Sequence, residues 1–284
     1  MNLYDCHLHT AFSGDSDTPP EEMVERARDI GLSGITITDH LDLKYKHDPG
    51  LFDLDLPAYR EGVSTLKEKY GSPAFKILFG VELGLKTNCL AEHRKVLADN
   101  SFDFVIGSIH EVDGLDPYYP EFYTSRSAEA SINAYFDCML ENIKAFHDFD
   151  SLGHLDYIAR YTAKNYGPLE GTLSYEKYAD RIDEILKWLI ANGKALEVNT
   201  GSFPNGMTEP NPSYRILSRY YELGGREITL GADAHTPATI ADHFEEVAAK
   251  LQEIGFSYYS VFKKRKPIHI TFKEYSPKKS APIV

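Results

Sequence analysis

Short apolar runs alternate with longer amphipathic segments along the whole chain. Seven apolar runs predict β-strands, which cover residues 3–9, 34–39, 75–83, 102–109, 151–156, 195–199 and 228–232. Each run is followed by a helical pattern, and the seven predicted helices cover residues 18–31, 58–70, 90–98, 128–147, 174–191, 211–224 and 236–254. Strict alternation of this kind is typical of a parallel sheet with right-handed crossover connections.

The helix boundaries and the connections carry more specific predictions. Thr18 is the predicted N-cap of the first helix, with Glu21 completing a capping box. Asn211-Pro212 is expected to cap a later helix. Two long polar loops cover residues 41–57 and 112–126, and loops of that length are usually functional or mobile. We expect one domain over residues 1–275, with an apolar run at 258–262 and a basic run at 263–266, and a frayed tail over 276–284.

Metal-ligand side chains stand at the ends of most of the predicted strands. In a strand, residues i and i+2 point to the same side, so His7 and His9 share a direction, as do Asp233 and His235. In a closed barrel the carboxyl ends of all strands ring one mouth. An open Rossmann sheet is the competing architecture, but the GxGxxG turn it needs after the first strand is absent. The pattern therefore favours a barrel.

Composition and charge narrow the possible functions. The chain has 284 residues, 42% of them hydrophobic and 26% charged, which is ordinary for a globular protein. Its net charge of −13 argues against broad nucleic-acid binding, because that needs a basic surface. No apolar run reaches the roughly 18 residues that cross a bilayer, and the first residues lack signal-peptide features. Three cysteines without a CxxC pair suit a reducing compartment, so we expect a cytoplasmic protein.

Nine side chains are candidate metal ligands, six of them histidines and three carboxylates: His7, His9, Asp15, His40, Glu82, His110, His154, Asp233 and His235. Imidazole nitrogens together with carboxylate oxygens suit Zn²⁺, Fe²⁺ or Mn²⁺. Nine ligands are too many for one ion, so two or three divalent ions with a bridging carboxylate are expected. Clustered ions of this kind polarise phosphoryl oxygens and convert water into a nucleophile near neutral pH.

The ordered set of motifs resembles the PHP (polymerase and histidinol phosphatase) family, most of all its histidinol-phosphatase branch. The matching pieces are His7-x-His9, Thr38-Asp39-His40, Gly80-Val81-Glu82, Gly107-Ser108-Ile109-His110, Gly153-His154 and Asp233-Ala234-His235. The resemblance implies an α/β fold that is a distorted, seven-stranded, TIM-like (β/α) barrel with a trinuclear metal centre. The match extends from the first predicted strand to the seventh.

The resemblance also assigns the ligands to three ions: His7, His9, Glu82 and Asp233 to the first; Glu82, His110 and His154 to the second; Asp15, His40 and His235 to the third. Glu82 bridges the first two ions in this scheme. Asp17 lies close enough to Asp15 to compete for the third site. Asp39 is expected to orient the His40 ring without binding a metal ion itself.

The remaining histidines and one cysteine are expected to play structural roles. A lone histidine is more often a hydrogen-bonded surface or core residue than a ligand, and this holds for His47, His93, His147, His243 and His269. Cys6 should face away from His7 and pack as a buried thiol.

Four further residues are candidate substrate contacts. Arg160 follows His154 by six residues, and its guanidinium could grip a phosphate in a forked geometry, although a surface ion pair is the equal alternative. Asp42 and Glu111 follow ligand positions and could meet a cationic substrate group. Ser13 could donate to phosphate. For these last three, a solvated loop charge or a turn-forming serine is the stronger alternative.

The sequence thus predicts a phosphoric monoester hydrolase, and the resemblance implies L-histidinol phosphate as its small-molecule substrate in histidine biosynthesis. In the predicted mechanism a metal-bridging hydroxide attacks phosphorus, Arg160 helps to spread the charge, and Asp233 or His235 protonates the leaving oxygen through water. A 3′-exonuclease or another phosphodiesterase is the enzymatic alternative. A metal-binding module without turnover is the non-catalytic one. The oligomeric state cannot be read from the sequence.

Overall fold

A parallel sheet of short strands, wrapped by helices, forms the body of the protein. The computed structural model describes residues 3–169 and 171–272. Its strands are β1 Tyr4–Asp5, β2 Gly34–Ile37, β3 His40–Leu41, β4 Lys76–Gly84, β5 Phe104–Ser108, β6 Ser151–Leu152, β7 Ala195–Asn199, β8 Ile228–Gly231, β9 Tyr258–Lys263 and β10 Lys266–Thr271. Its helices are α1 Pro20–Asp29, α2 Leu56–Tyr70, α3 Leu90–Asp99, α4 Ala128–Ala145, α5 Ala159–Tyr166, α6 Ala179–Ala191, α7 Tyr214–Glu222 and α8 Phe244–Ile254.

The sheet is a nearly closed barrel with seven strand positions. Parallel pairing follows the order β1-β2-β4-β5-β6-β7-β8. The short strand β3 follows β2 in the chain and pairs with the next part of β4, so β2 and β3 together occupy one position in the barrel. The two edges meet through backbone hydrogen bonds from Cys6 N to Leu230 O (3.0 Å) and from Asp233 N to His7 O (2.8 Å). Side chains such as those of Val81 and Val105 are fully buried in the core. The predicted seven-stranded barrel is confirmed.

The first predicted strand is much shorter than its apolar run. Only Tyr4–Asp5 pairs regularly with the neighbouring strand. Beyond it, the N–H of His7 bonds to the carboxylate of Asp5 (3.2 Å), and that of Leu8 bonds to the hydroxyl of Thr38 (3.0 Å). Side chains thus supplement the backbone hydrogen bonds that residues 6–9 make with Thr38, with β8 and with the segment after it.

Three predicted helix starts are wrong. Pro19 occupies the N-cap of α1, and the Thr18 hydroxyl donates to the carbonyl of His235 (2.8 Å) instead of capping the helix. The helix predicted from residue 174 begins at Ala179. Ser213 stands at the N-cap of α7, because the Asn211 side chain is bound to Arg160 and Asp156 and is not free to cap.

Other helical predictions also need correction. Helix α5 was missed, because it is only eight residues long and has no side-chain cap at Ile158. The predicted helix over 236–254 is a 3-10 turn followed by α8, since Ala241 and His243 have positive φ between the two pieces. Within the part of the chain that the structure describes, no helix is long and apolar enough to cross a membrane.

The apolar and basic runs after α8 form an antiparallel hairpin, which the sequence pattern did not predict. Lys263 pairs with Lys266 across the turn, and Lys264 and Arg265 have φ of 50° and 62°. Two consecutive left-handed residues are typical of a type I′ hairpin turn. Strand β9 packs beside β8. The predicted boundary at residue 275 and the predicted frayed tail lie outside the described residues.

Candidate metal centre

The nine ligand candidates converge at the carboxyl end of the barrel, where parallel strands bring their ends to one rim. Their ligand atoms form overlapping groups in which all atoms lie within 4.8 Å of one another. These groups are His7, His9 and Asp233; Glu82, His110 and His154; His9, Asp15, His40 and His235; and His40, Asp42 and His110. The structure therefore brings every predicted ligand into one cluster and adds Asp42 at its edge.

The first group lies where the two edges of the barrel meet. The Nε2 atoms of His7 and His9 are 3.0 Å apart. Asp233 Oδ1 lies 3.3 Å from the Nε2 of His9 and 3.7 Å from that of His7. Asp233 itself has a φ of 54°, a left-handed conformation that aspartate adopts more readily than most residues. Ring nitrogens and a carboxylate oxygen that face each other this closely can share one cation.

Glu82, at the end of β4, lies between two groups of histidines. Its Oε2 is 3.2 Å from His7 Nε2 and 3.0 Å from His40 Nδ1. Its Oε1 is 2.9 Å from His154 Nε2 and 3.2 Å from His110 Nε2. The Oε2 atom is buried and accepts no hydrogen bond from any residue that the structure describes. A buried carboxylate oxygen in that condition fits a metal-bridging position.

The third group decides between the two candidate aspartates. Asp15 Oδ2 lies 3.0 Å from His235 Nε2 and 3.3 Å from His40 Nε2. The ring of His9 stacks on both of these histidines, with centroids 4.2 and 4.3 Å away. Asp17 is exposed and lies outside the group. Of the two aspartates, Asp15 is therefore the one whose carboxylate lies among the histidines of this group.

Charges within the cluster shift one another's pKa: those of the carboxylates fall, while nearby carboxylates raise those of His7, His40 and His110, so a bound cation would replace protons on these imidazoles. Burial by itself would raise the pKa of Glu82, but His7 and His40 hold it well below its usual value. Burial would also raise the pKa of Asp233, and His7 is again the largest opposing charge, so that pKa too is well lowered. Burial and the neighbouring His40 lower the pKa of His9 to about 3. Deprotonated carboxylates and a neutral imidazole are the forms that bind metals.

A buried glutamate that the sequence analysis did not identify fixes the orientation of His7. Glu197, on β7, accepts a hydrogen bond at Oε1 from His7 Nδ1 (2.6 Å). Its Oε2 accepts from the backbone N–H of His154 (2.8 Å) and from the amide of Asn199 (3.1 Å). A ligand histidine is commonly held by a carboxylate on its other ring nitrogen. The sequence held one signal for this role, a charged residue in the middle of a predicted strand. All residues of that strand, including Glu197, are buried.

Neither of the two aspartates near His40 has its expected role. Asp42 Oδ1 accepts from His110 Nδ1 (2.8 Å), and its Oδ2 lies 3.5 Å from His40 Nδ1. Asp39 accepts hydrogen bonds from the backbone N–H (2.6 Å) and the hydroxyl (2.9 Å) of Thr10. The prediction that Asp39 orients the His40 ring is wrong, because its carboxylate is engaged by the loop after β1. Asp42 orients ligand rings rather than facing a substrate.

Two other predicted substrate contacts lie away from the cavity. Ser13 is buried, and its oxygen accepts the backbone N–H of His40 (2.8 Å). Glu111 forms an ion pair with Lys86 and accepts the backbone N–H of Lys46 (3.1 Å). Neither side chain lines the cavity. Their geometry gives no support to the expected phosphate contact of Ser13 or the expected cation contact of Glu111.

Arg160 lies on α5 in a cradle of polar side chains. Its Nε donates to Asn211 Oδ1 (2.7 Å), its Nη2 to Asn199 Oδ1 (2.7 Å), and its Nη1 to Asp233 Oδ2 (3.2 Å). Only 6% of the side chain is exposed, and Asp156 in turn accepts a hydrogen bond from Asn211 (2.6 Å). A guanidinium has five N–H donors, so two remain for a ligand in the cavity. The alternative of a surface ion pair does not apply.

One cavity of about 530 Å³ opens over the cluster. One side, which we call the ligand wall, consists of the lining metal-ligand candidates: Asp15, His40, Glu82, His110, His154, Asp233 and His235. A second part of the lining, which we call the tyrosine wall, consists of Asp116, Tyr118, Tyr119, Tyr157 and Tyr161. Tyr45 and Phe52 complete the aromatic lining.

The side chains expected to be structural stay out of the cluster. None of the five remaining histidines belongs to a ligand group within residues 3–169 and 171–272. His47, for example, stacks on Tyr119 with centroids 3.5 Å apart. His93 is buried, and burial lowers its pKa to about 4. Cys6 is a buried thiol, as predicted.

The chain is similar in sequence and in fold to known histidinol-phosphatases. A probable histidinol-phosphatase of Clostridium acetobutylicum is 36% identical to this chain, over 88% of it and 93% of the relative. The histidinol-phosphatase of Lactococcus lactis is 32% identical, over 92% of this chain and 95% of the relative. A crystal structure of the Lactococcus lactis histidinol phosphate phosphatase with zinc, L-histidinol and phosphate superposes with a TM-score of 0.84 at 31% identity, covering 93% of this chain and 98% of that one. The family model for the PHP domain matches residues 5–201, and the chain belongs to the PHP domain family.

Proposed function

We propose that this protein hydrolyses L-histidinol phosphate to L-histidinol and phosphate. The observation that carries the proposal is the convergence of four ligand groups around Glu82, with the guanidinium of Arg160 beside them in the same cavity. The relatives named histidinol-phosphatase, which match this chain over most of its length, support the choice of substrate. The Lactococcus lactis structure with L-histidinol and phosphate supports the same reaction.

Three divalent ions fit the ligand set, divided as the family resemblance implies. His7, His9, Glu82 and Asp233 would hold the first, Glu82 with His110 and His154 the second, and Asp15, His40 and His235 the third. The mixture of imidazole and carboxylate suits zinc, manganese or iron, and zinc is present in the Lactococcus lactis structure. Such ions supply Lewis acidity to phosphoryl oxygens and make water a nucleophile near neutral pH.

The chain's own residues would orient the substrate, stabilise the negative charge on its phosphate and supply a proton to the leaving alcohol. Two free N–H groups of Arg160 can donate to the phosphate oxygens, and the cradle of Asn199, Asn211 and Asp233 fixes their direction before the substrate arrives. Donors that need no reorganisation are the main source of rate in phosphoryl transfer. Asp233 and His235 both line the cavity, which makes them the two candidates for protonating the departing alcohol through water.

The direct test is phosphate release by metal-free and metal-replenished protein. We expect the chelated, dialysed protein to be inactive on L-histidinol phosphate, and zinc, manganese or iron to restore turnover. Full activity without metal would contradict the role of the cluster. Single-stranded DNA is assayed in parallel, because the competing function is a 3′-exonuclease. Restored hydrolysis of DNA without hydrolysis of L-histidinol phosphate would replace the proposed substrate.

A further inference from the structure

The tyrosine wall contains one carboxylate, Asp116, that forms no ion pair with any residue the structure describes. Asp116 lines the cavity and accepts hydrogen bonds from the hydroxyl of Tyr45 (2.7 Å) and the backbone N–H of Tyr118 (2.7 Å). Among the residues in the described ranges, it makes no salt bridge. The carboxylates of the ligand wall differ, since each faces imidazole nitrogens. A carboxylate that is partly removed from water is stabilised when a charged donor binds to it.

The rings of the tyrosine wall form a continuous edge-to-face chain. Tyr119 contacts Tyr118 (centroids 4.9 Å apart, planes at 80°), and Tyr118 contacts Tyr161 (5.6 Å, 74°). Tyr161 contacts Tyr157 (5.1 Å, 69°), whose ring lies 4.9 Å from that of His154 on the ligand wall. The aromatic surface therefore leads from the metal cluster to Asp116. Tyrosine faces attract cations and aromatic rings.

The two ends of the wall have opposite charge preferences. The guanidinium of Arg160 lies 5.1 Å from the Tyr157 ring, close to the metal cluster, and favours an anion. Asp116, next to Tyr118, favours a cation or an N–H donor. A phosphate ester with a nitrogen heterocycle at its other end matches this arrangement, whereas an ester of an anionic alcohol does not.

We propose that Asp116, with Tyr118 and Tyr161, is the subsite that binds the imidazole ring of the substrate. This inference rests on the proposed function and deepens it. The imidazole N–H donates to the Asp116 carboxylate, and the ring packs against the two tyrosines. Tyr45 is a positioning residue in this arrangement, because its hydroxyl donates to the Asp116 carboxylate. Asp116 thus takes the role that the sequence had offered to Asp42 and Glu111.

The test compares two substrates in the metal-replete enzyme. L-Histidinol phosphate carries the imidazole, and glycerol 3-phosphate has a neutral alcohol without a ring. For Asp116→Asn we expect the ratio of their kcat/KM values to fall by about 10- to 100-fold, mainly through KM, because a charge-assisted hydrogen bond is lost. The matched control is Asp113→Asn on the same loop. Asp113 is exposed and paired with Arg126, and its left-handed φ of 55° suits asparagine.

Two further measurements separate the possible outcomes. Tyr118→Ala removes a ring that is 58% exposed, so it serves if Asp116→Asn does not fold, and the ratio should again fall several-fold. N-acetyl-L-histidinol phosphate lacks the ammonium group but keeps the ring, and its turnover should keep its sensitivity to Asp116→Asn. Loss of that sensitivity would show that Asp116 binds the ammonium instead and overturn the imidazole assignment.

The proposed function and the subsite can fail separately. A wild-type enzyme that shows no preference for L-histidinol phosphate overturns the proposed function, and the subsite with it. A wild-type preference that survives unchanged in both Asp116→Asn and Tyr118→Ala overturns only the subsite. An equal loss on both substrates, without a change in their ratio, assigns Asp116 a structural role and also overturns the subsite.

Discussion

The ligand wall and the tyrosine wall face the same cavity but are built in different ways. Apart from Asp15, which lies in the loop after β1, the ligand wall stands at or just beyond strand ends, and its Glu82 is fully buried. The tyrosine wall comes from the loop after β5 and from the segment around α5, and its Tyr118 is 58% exposed. A strand end is fixed by its neighbours in the sheet, whereas a loop can change without disturbing the barrel. Under the proposed function, the barrel supplies the chemistry and the loops supply the choice of substrate.

The two walls also treat charge differently. On the ligand wall, buried carboxylates and imidazoles compensate one another, as Glu82 does with His7 and His40. On the tyrosine wall, the donors that Asp116 has among the described residues are neutral, the hydroxyl of Tyr45 and the backbone N–H of Tyr118. Damage to the ligand wall should therefore abolish turnover of every substrate, while damage to the tyrosine wall should change which substrate is preferred.

Replacing Glu82 should have the largest effect. Glu82→Gln keeps the shape but removes the charge shared by two groups of ligands. We expect more than one metal ion per chain to be lost, and kcat to fall by about 10³-fold or more, since metal stabilisation of the transition state contributes several kcal/mol. Elemental analysis and phosphate release measure the two effects. Glu92→Gln, at an exposed glutamate paired with Lys44, is the control. Unchanged metal content would contradict the bridging position.

Changing Arg160 should affect phosphate binding more than metal binding. Arg160→Lys keeps the positive charge, but an ammonium cannot occupy the fork that contacts Asn199, Asn211 and Asp233 while also reaching a phosphate. We expect kcat/KM to fall by about 10- to 100-fold, as for a lost hydrogen bond to a charged group, with the metal content retained. Arg181→Lys, at an exposed arginine bound to Asp137, is the control. Normal kinetics in Arg160→Lys would exclude a phosphate contact.

A smaller effect is expected at Glu197, behind the ligand wall. Glu197→Gln should weaken metal binding by about 10- to 100-fold, as is usual when the partner of a ligand histidine is changed. Excess metal should restore most of the turnover, because the ligand His7 is still present. Titration of activity against free zinc measures the shift, with Glu227→Gln as the control near the hairpin. An unshifted titration would mean that Glu197 does not influence the metal.

The sequence predicted the ligand wall well and the tyrosine wall poorly, for physical reasons. Ligand candidates such as His7 and His9 follow a strand in extended chain, where a spacing of two residues directs both side chains to the same place. Glu197 was missed because its role depends on a contact with a residue 190 positions away. Asp116 lies in a loop whose path follows from tertiary contacts such as the hydrogen bond from Tyr45. The same limit explains why Ser13 and Glu111, both predicted to face the substrate, point elsewhere.

The smallest effect is expected at Tyr45, and it tests directly whether the two walls act independently. Tyr45→Phe keeps the aromatic ring that lines the cavity and removes only the hydroxyl that donates to Asp116. A net hydrogen bond contributes about 0.5–1.5 kcal/mol, so KM for L-histidinol phosphate should rise about 2- to 12-fold. Metal content and kcat should stay close to those of the wild type, because Tyr45 lies outside the ligand groups.

The control for this variant is Tyr70→Phe, whose hydroxyl donates to Glu25 on the exposed surface. Steady-state kinetics and elemental analysis on both variants complete the comparison. A fall in kcat or metal content in Tyr45→Phe would show that the two walls act as one unit. A rise in KM alone would establish that substrate choice can be altered on the loop side while the chemistry on the strand ends is preserved.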